Sequence, residues 1–190
     1  MSRVILAVYM SIDGVIDVHE NETWTFPYWN DELEAYQREP LYASHAMLLG
    51  RKTYEHFVSS WGTRTNEDDP FADRFNSMPK YVASTTLRET TWNARLLEGD
   101  VPEAVASLKQ RPGRDLLVYG GGDLVATLIQ HDLIDEYRLM VHPVVLGRGR
   151  RLFPDGLEKT LRLVDSQTTS TGVACLTLEP AGKDDEPSDD

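Results

Sequence analysis

Apolar and polar positions follow two different rhythms along this chain, and the changes between them mark out its elements. Residues 3–9 are rich in β-branched and alternating apolar positions, which predicts a strand, and Ser11-Ile12-Asp13-Gly14 breaks it. Residues 17–29 mix polar and aromatic positions (Trp24, Phe26, Tyr28, Trp29) and read as a loop. From about residue 30 to 42, Leu33, Tyr36 and Leu41 recur at helical spacing among many charges, with Pro40 expected to end or bend the helix. Ala46–Gly50 is a short continuous apolar run, the mark of a strand buried on both faces, and a helix is predicted over 51–59. Residues 62–77 are polar, with 66–70 the weakest-ordered piece. Further strands are predicted at 81–84, 94–97, Leu116–Tyr119, Glu136–His142, 161–164 and 171–178. Helices are predicted over 102–110, opened by a proline, and over 123–130.

Strands and helices alternate through two thirds of the chain, and strands dominate its end. That order predicts an α/β fold with a mostly parallel central sheet flanked by helices and antiparallel C-terminal strands. A length of 190 residues makes one domain over 1–180, large enough to bury a core without staples. The remaining segment, 181–190, holds five acids and one lysine, and its charged stretch from Lys183 onward has nothing apolar to bury. It is expected to be a disordered acidic tail whose plain role is solubility. A net charge of −12 opposes general affinity for nucleic acid or an anionic membrane. One cysteine, Cys175, fits a reducing cytosol, and no signal-peptide layout or membrane span is visible at the sequence level. The histidines show no metal-ligand spacing, so no metal is expected.

Three strand-to-helix junctions carry candidate chemistry. In Leu116-Leu117-Val118-Tyr119-Gly120-Gly121-Gly122-Asp123-Leu124 an apolar strand runs into three glycines and then a helix. Glycines there let a phosphate approach backbone N–H groups at a helix start, where the dipole favours anions; a tight turn without a ligand is the plainer alternative. The spacing is neither the dinucleotide fingerprint nor the phosphate loop of nucleotide hydrolases. In Leu49-Gly50-Arg51-Lys52-Thr53 two cations occupy a first helical turn, against the usual preference for acids, and an anion bound nearby would resolve the conflict. Solvated cations on an exposed face would also account for them. The third junction, Val82-Ala83-Ser84-Thr85-Thr86, ends a strand in hydroxyls that could meet an adenosine phosphate or cap a helix. Junctions at the carboxyl ends of strands lie on one side of an open sheet, so a phosphorylated dinucleotide is the expected ligand.

Ser11-Ile12-Asp13-Gly14-Val15-Ile16, Leu49-Gly50-Arg51-Lys52-Thr53-Tyr54-Glu55, Tyr119-Gly120-Gly121-Gly122 and the stretch from His142-Pro143 to Gly147-Arg148-Gly149-Arg150-Arg151-Leu152-Phe153 occur in that order. Together they resemble the dihydrofolate-reductase-like superfamily. The branch most similar is the reductase domain of the bifunctional riboflavin-biosynthesis deaminase–reductase, over about residues 3–178. The resemblance implies that Gly50, Arg51, Lys52 and Thr53 meet cofactor phosphates. It places Ser84 and Thr85 beside an adenosine 2′-phosphate, which favours NADPH over NADH. Tyr119, Gly120, Gly121 and Gly122, with Asp123 and Leu124, match the glycine turn under the pyrophosphate and nicotinamide, and Ala7, Val8 and Ile16 fall where relatives line the nicotinamide pocket. It also implies a homodimer.

There are departures. One cysteine leaves no deaminase zinc site, and Trp24-Thr25-Phe26-Pro27-Tyr28-Trp29 does not resemble the folate enzymes' segment. Asp13 is a candidate substrate ligand or proton relay, although Asp-Gly is also plain turn chemistry. Asp31 is a second candidate acid, or a helix-start charge and nothing more. Trp24 and Tyr28 could line a pocket for a flat ring, or pack a lid onto the sheet. His142 and Arg148, Arg150 and Arg151 could meet a substrate phosphate, with a solvated hairpin of ion pairs as the bland account. The expected activity is an NADPH-dependent reduction of a small heterocyclic, imine or carbonyl compound, specifically the ribosylaminopyrimidine of riboflavin synthesis. A dihydrofolate or pterin reductase, and a non-catalytic NADPH- or small-ligand-binding module, are the alternatives.

Overall fold

The computed structural model describes residues 1–17, 23–113 and 115–182. The expected tail from 183 onward, His19 and the middle of the predicted 17–29 loop lie outside the described residues. The strands are β1 (Val4–Ser11), β2 (Val15–Asp17), β3 (Ala46–Gly50), β4 (Lys80–Ala83), β5 (Ala94–Leu96), β6 (Leu116–Tyr119), β7 (Glu136–His142), β8 (Arg150–Arg151), β9 (Leu161–Thr168) and β10 (Ala174–Pro180). The helices are α1 (Asp31–Ala43), α2 (Arg51–Trp61), α3 (Ala72–Ser77), α4 (Val101–Gln110) and α5 (Gly122–Gln130), with a 3-10 turn at Phe26–Tyr28.

Among the described residues, eight strands form one sheet in the order β5-β4-β3-β6-β1-β7-β10-β9. The pairings from β5 to β7 are parallel, and β10 and β9 join antiparallel, as the alternation of elements predicts. The central strands are buried along their length because helices cover both faces. Leu6, Leu48, Val118 and Leu139 pack with Leu124, Leu128 and Val105 of α5 and α4. Ile5, Met47, Leu117 and Met140 pack with Leu33 and Tyr36 of α1 and with Phe75 of α3. Successive side chains of one strand feed opposite cores, so continuous apolar runs are what this architecture requires.

Three features differ from expectation. The first is at Pro40, expected to end or bend the helix predicted to about residue 42: α1 continues past it to Ala43, with Pro40 buried inside. The Ser44 N–H donates to the Pro40 carbonyl at 3.0 Å, and the Arg74 guanidinium donates to the carbonyls of Leu41 and Ser44, so a cation from α3 satisfies the helix end. The polar 62–77 region contains α3, whose carbonyl end is met by buried Lys80: Nζ donates to the carbonyls of Phe75 and Met78 and lies 3.8 Å from the Trp92 ring centre. Burial pushes the Lys80 ammonium down to about 8. The third is β2 and β8, which form a separate two-stranded arm with Val15 opposite Arg151 and Asp17 opposite Arg150. Among the described residues no helix is long and apolar enough to cross a membrane.

Candidate functional site

Strands β3 and β6 are parallel neighbours, so the helices that follow them, α2 and α5, start side by side at the carboxyl edge of the sheet. The two junctions touch. A Cβ on Gly120 would lie 2.6 Å from Thr53 Oγ1, and one on Gly50 would lie 3.7 Å from Leu124 Cβ. Gly120 and Gly122 hold φ of +85° and +78°, a region that glycine enters without strain. Neither Gly50 nor Gly121 supplies a side-chain cap to the helix it begins, and α2 has no acid in its first turn. Two helix starts thus present uncapped N–H groups at one place, the usual setting for an anion.

The cleft they border has a volume of about 460 Å³, within the range of small-molecule sites. Its walls bring together Gly50, Arg51, Lys52 and Thr53 from one junction, Gly121, Gly122, Asp123 and Leu124 from the second, and Ser84 and Thr85 at the end of β4. The Ser84 hydroxyl also accepts from the Leu87 N–H at 3.0 Å, so turn capping and ligand contact are not exclusive for it. Arg51 has a loose contact with Glu55 at 3.9 Å, and its side chain is 44% exposed. A larger hollow of about 700 Å³ lies between α1 and the strands β7, β9 and β10. It is lined by charges that already pair with one another, among them Arg3, Glu136, Arg138 and Glu39.

Other expected residues sit elsewhere. Ala7 and Val8 are buried within β1 on opposite faces, Ala7 opposite Tyr119 in register; neither borders the cleft. Ile16 does reach the glycine turn: its Cδ1 lies 2.2 Å from where a Cβ on Gly121 would stand. Asp13 is fixed by hydrogen bonds in the turn after β1. Its carboxylate accepts from Ser11 Oγ at 2.6 Å, from the Leu146 N–H at 3.0 Å and from the Gly147 N–H at 2.8 Å. Those donors hold its pKa down to about 2, so it is an ionised brace between the first turn and the β7–β8 loop. Asp31 is exposed in the first turn of α1 and does not border the cleft, which is the helix-start role; the α1 cap is Asn30, accepting from the Leu33 N–H.

Trp24 and Tyr28 gather around His142 at the carboxyl end of β7. Their rings meet His142 edge-on at 5.1 and 5.5 Å, and Tyr9 meets it at 5.4 Å. His142 is buried, its Nδ1 lies 2.9 Å from the Met140 carbonyl, and its Nε2 has no hydrogen-bond partner among the described residues. Burial holds the imidazole below its ordinary pKa. The Tyr119 hydroxyl is a second buried group without a partner among the described residues. The sequence places Arg150 with Arg148 and Arg151 in a cluster suited to a substrate phosphate or to a solvated hairpin; in the structure Arg150 borders the cleft. The signal was present in the Arg148–Arg151 run, but only the pairing of β8 with β2 shows which arginine turns toward the glycines.

Several known proteins are similar to this chain. The family model described as RibD C-terminal domain matches residues 2–175. The curated relatives include the uncharacterized proteins YyaP and YwjB, both of Bacillus subtilis. YyaP is 33% identical over 90% of this chain and 91% of its own length. YwjB is 29% identical over 85% and 88%. Among solved structures, a chain from Shewanella sp. PV-4 named for riboflavin biosynthesis superposes with a TM-score of 0.78 at 21% identity, covering 96% of this chain and all of that one. A diaminohydroxyphosphoribosylaminopyrimidine deaminase/5-amino-6-(5-phosphoribosylamino)uracil reductase of Thermotoga maritima superposes with a TM-score of 0.65 at 14% identity. This chain covers 57% of that longer protein.

Proposed function

The chain belongs to the RibD C-terminal domain family, and from that premise we propose that it is an NADPH-dependent reductase of a small heterocyclic, imine or carbonyl substrate. Reduction of 5-amino-6-(5-phosphoribosylamino)uracil, the activity named for the Thermotoga maritima relative, is the specific candidate. One observation carries the reading: the Arg51-Lys52 turn, the Ser84-Thr85 strand end and the triple-glycine turn border a single cleft.

The residues fit this cofactor. The glycine turn provides a surface without side chains, and any Cβ at Gly120 or Gly121 would collide with Thr53 or Ile16. A pyrophosphate belongs there, against the start of α5. Arg51 and Lys52, with Ser84 and Thr85, suit the additional 2′-phosphate, Arg through paired hydrogen bonds and Lys as a point charge. When bound, NADPH supplies the hydride. The protein's part is to orient the nicotinamide beyond the glycine turn, to exclude water with Ile16, and to present a flat aromatic surface to the substrate. Trp24 and Tyr28, half-buried beside Tyr9 and His142, are the candidate side chains for that surface.

The test is titration of the purified protein with NADPH and NADH, followed by tryptophan fluorescence, and then NADPH consumption with a pyrimidine, pterin and flavin panel. The proposal expects tighter NADPH than NADH and turnover with the ribosylaminopyrimidine. Failure to bind either nicotinamide cofactor would overturn it. Tight binding without turnover across the panel would make the chain a binding module instead.

A further inference from the structure

The β2–β8 arm lies across the glycine turn and places two side chains on it: Ile16 against Gly121, and Arg150 against Gly122. One guanidinium nitrogen of Arg150, Nη1, lies 3.0 Å from the position a Cβ on Gly122 would take, and 3.0 Å from Asp123 Oδ1. Arg150 therefore hangs over the first turn of α5, the positive end of that helix, where a cation is electrostatically misplaced. Within the turn only Asp123 offsets it. That carboxylate is fully exposed and the arginine side chain is 43% exposed, so water screens the pair and it is easily exchanged. Both residues border the cleft that also holds Arg51 and Lys52.

We propose that Arg150 is a cofactor-pyrophosphate ligand delivered by the β2–β8 arm, and that Asp123 is its built-in competitor. In the free protein Asp123 occupies the guanidinium. A pyrophosphate at the start of α5 takes over the same guanidinium with two charge-assisted hydrogen bonds, and Asp123 turns out to solvent. The conflict between the cation and the helix dipole disappears once the phosphate lies between them. Glycine at 122 is needed for this arrangement, since a side chain there would stand in the guanidinium's place. Asp123 thereby changes role: it borders the cofactor site but opposes binding, setting the affinity rather than adding to it. The arm that carries Arg150 also carries Ile16, so cofactor capture and the covering of the glycine turn are one event.

This inference rests on the NADPH reading, and the experiment separates the two. Kd values for NADPH and NADH are measured by tryptophan fluorescence for wild type, Arg51→Ala, Arg150→Ala, Arg150→Lys, Asp123→Asn and the Asp123→Asn/Arg150→Ala double variant, with circular dichroism and thermal melting to confirm folding. Arg150→Ala should weaken both cofactors about equally, by roughly tenfold to a hundredfold, because the pyrophosphate is common to them. Arg150→Lys should fall between it and wild type. Asp123→Asn should tighten both by about twofold to fivefold, and that gain should largely vanish in the double variant. Weaker binding in Asp123→Asn, or unchanged binding in folded Arg150→Ala while Arg51→Ala weakens NADPH, would overturn this inference alone. Absence of binding by the wild type would overturn the NADPH reading itself.

Discussion

Thr53 Oγ1 occupies the space that a Cβ on Gly120 would need: the two would be 2.6 Å apart, and Gly120 sits at φ +85°. The first turn of α2 and the turn leading into α5 are therefore one fitted unit, built from residues 67 positions apart. Gly120→Ala should suffer both the backbone strain and the collision, losing about 1–3 kcal/mol of stability. Urea denaturation would measure it, and Thr53→Ala in the same background should recover the part due to the collision but not the part due to φ.

At the next position the obstacle is different. A Cβ on Gly121 meets the far end of the Ile16 side chain, which can swing aside, and Gly121 has a negative φ of −149°, outside the left-handed region. Gly121→Val should keep the fold and melt within a few degrees of wild type while NADPH binding is lost. An unchanged NADPH titration would contradict the placement of the cofactor against this glycine.

Arg51→Ala should weaken NADPH by about 1.5–3 kcal/mol, the range for a charge-assisted contact, and NADH far less. Parallel titrations with the two cofactors check it, and equal losses would refute the 2′-phosphate assignment. Its weak contact with Glu55 at 3.9 Å means little intramolecular pairing is sacrificed in the variant.

The parallel centre of the sheet was legible because strands buried on both faces must be continuously apolar, and β3 and β6 are. The gathering of the three junctions around one cleft was legible for a related reason: strand-to-helix junctions gather at one edge of such a sheet. What escaped was built from pairings too short or too distant to leave a period. Strand β2 has three residues and β8 two, so no alternation announces them, and without them Arg150 could not be told apart from its neighbours Arg148 and Arg151. Asp13 looked equally suited to a turn and to catalysis, because its backbone donors at Leu146 and Gly147 are 133 and 134 positions away. Pro40 was expected to end or bend its helix, since nothing local revealed that Arg74 would satisfy the carbonyls beyond it.

Asp13 makes a pH prediction of definite sign. Its pKa is about 2 in the fold against an ordinary 3.8, so its contribution is fully present above pH 4 and is lost as the pH falls toward 2. Amide exchange at Leu146 and Gly147 should accelerate through that window in wild type. Asp13→Asn should show faster exchange at neutral pH with no acid step of this origin.

The opposite edge of the sheet shows how stability and function are divided. Arg138, 9% exposed, donates to Glu136 at 2.5 Å and to Glu39 at 2.6 Å, while Glu136 is also held by Arg3 at 2.9 Å and is itself 4% exposed. Arg3 precedes β1 and Glu136 begins β7, so this network ties strand starts together, away from the carboxyl-edge cleft. Removing Arg138 leaves a buried carboxylate with only a half-exposed arginine to offset it. Arg138→Met should therefore cost about 2–3 kcal/mol in urea denaturation, short of a full loss because Arg3 remains. Adding Glu136→Leu should restore much of that, since the charge left behind, and not the missing contact, is the larger cost. NADPH affinity should not change in either variant. A cofactor Kd that moved with Arg138 would mean that this edge communicates with the cleft, against the division drawn from the strand directions.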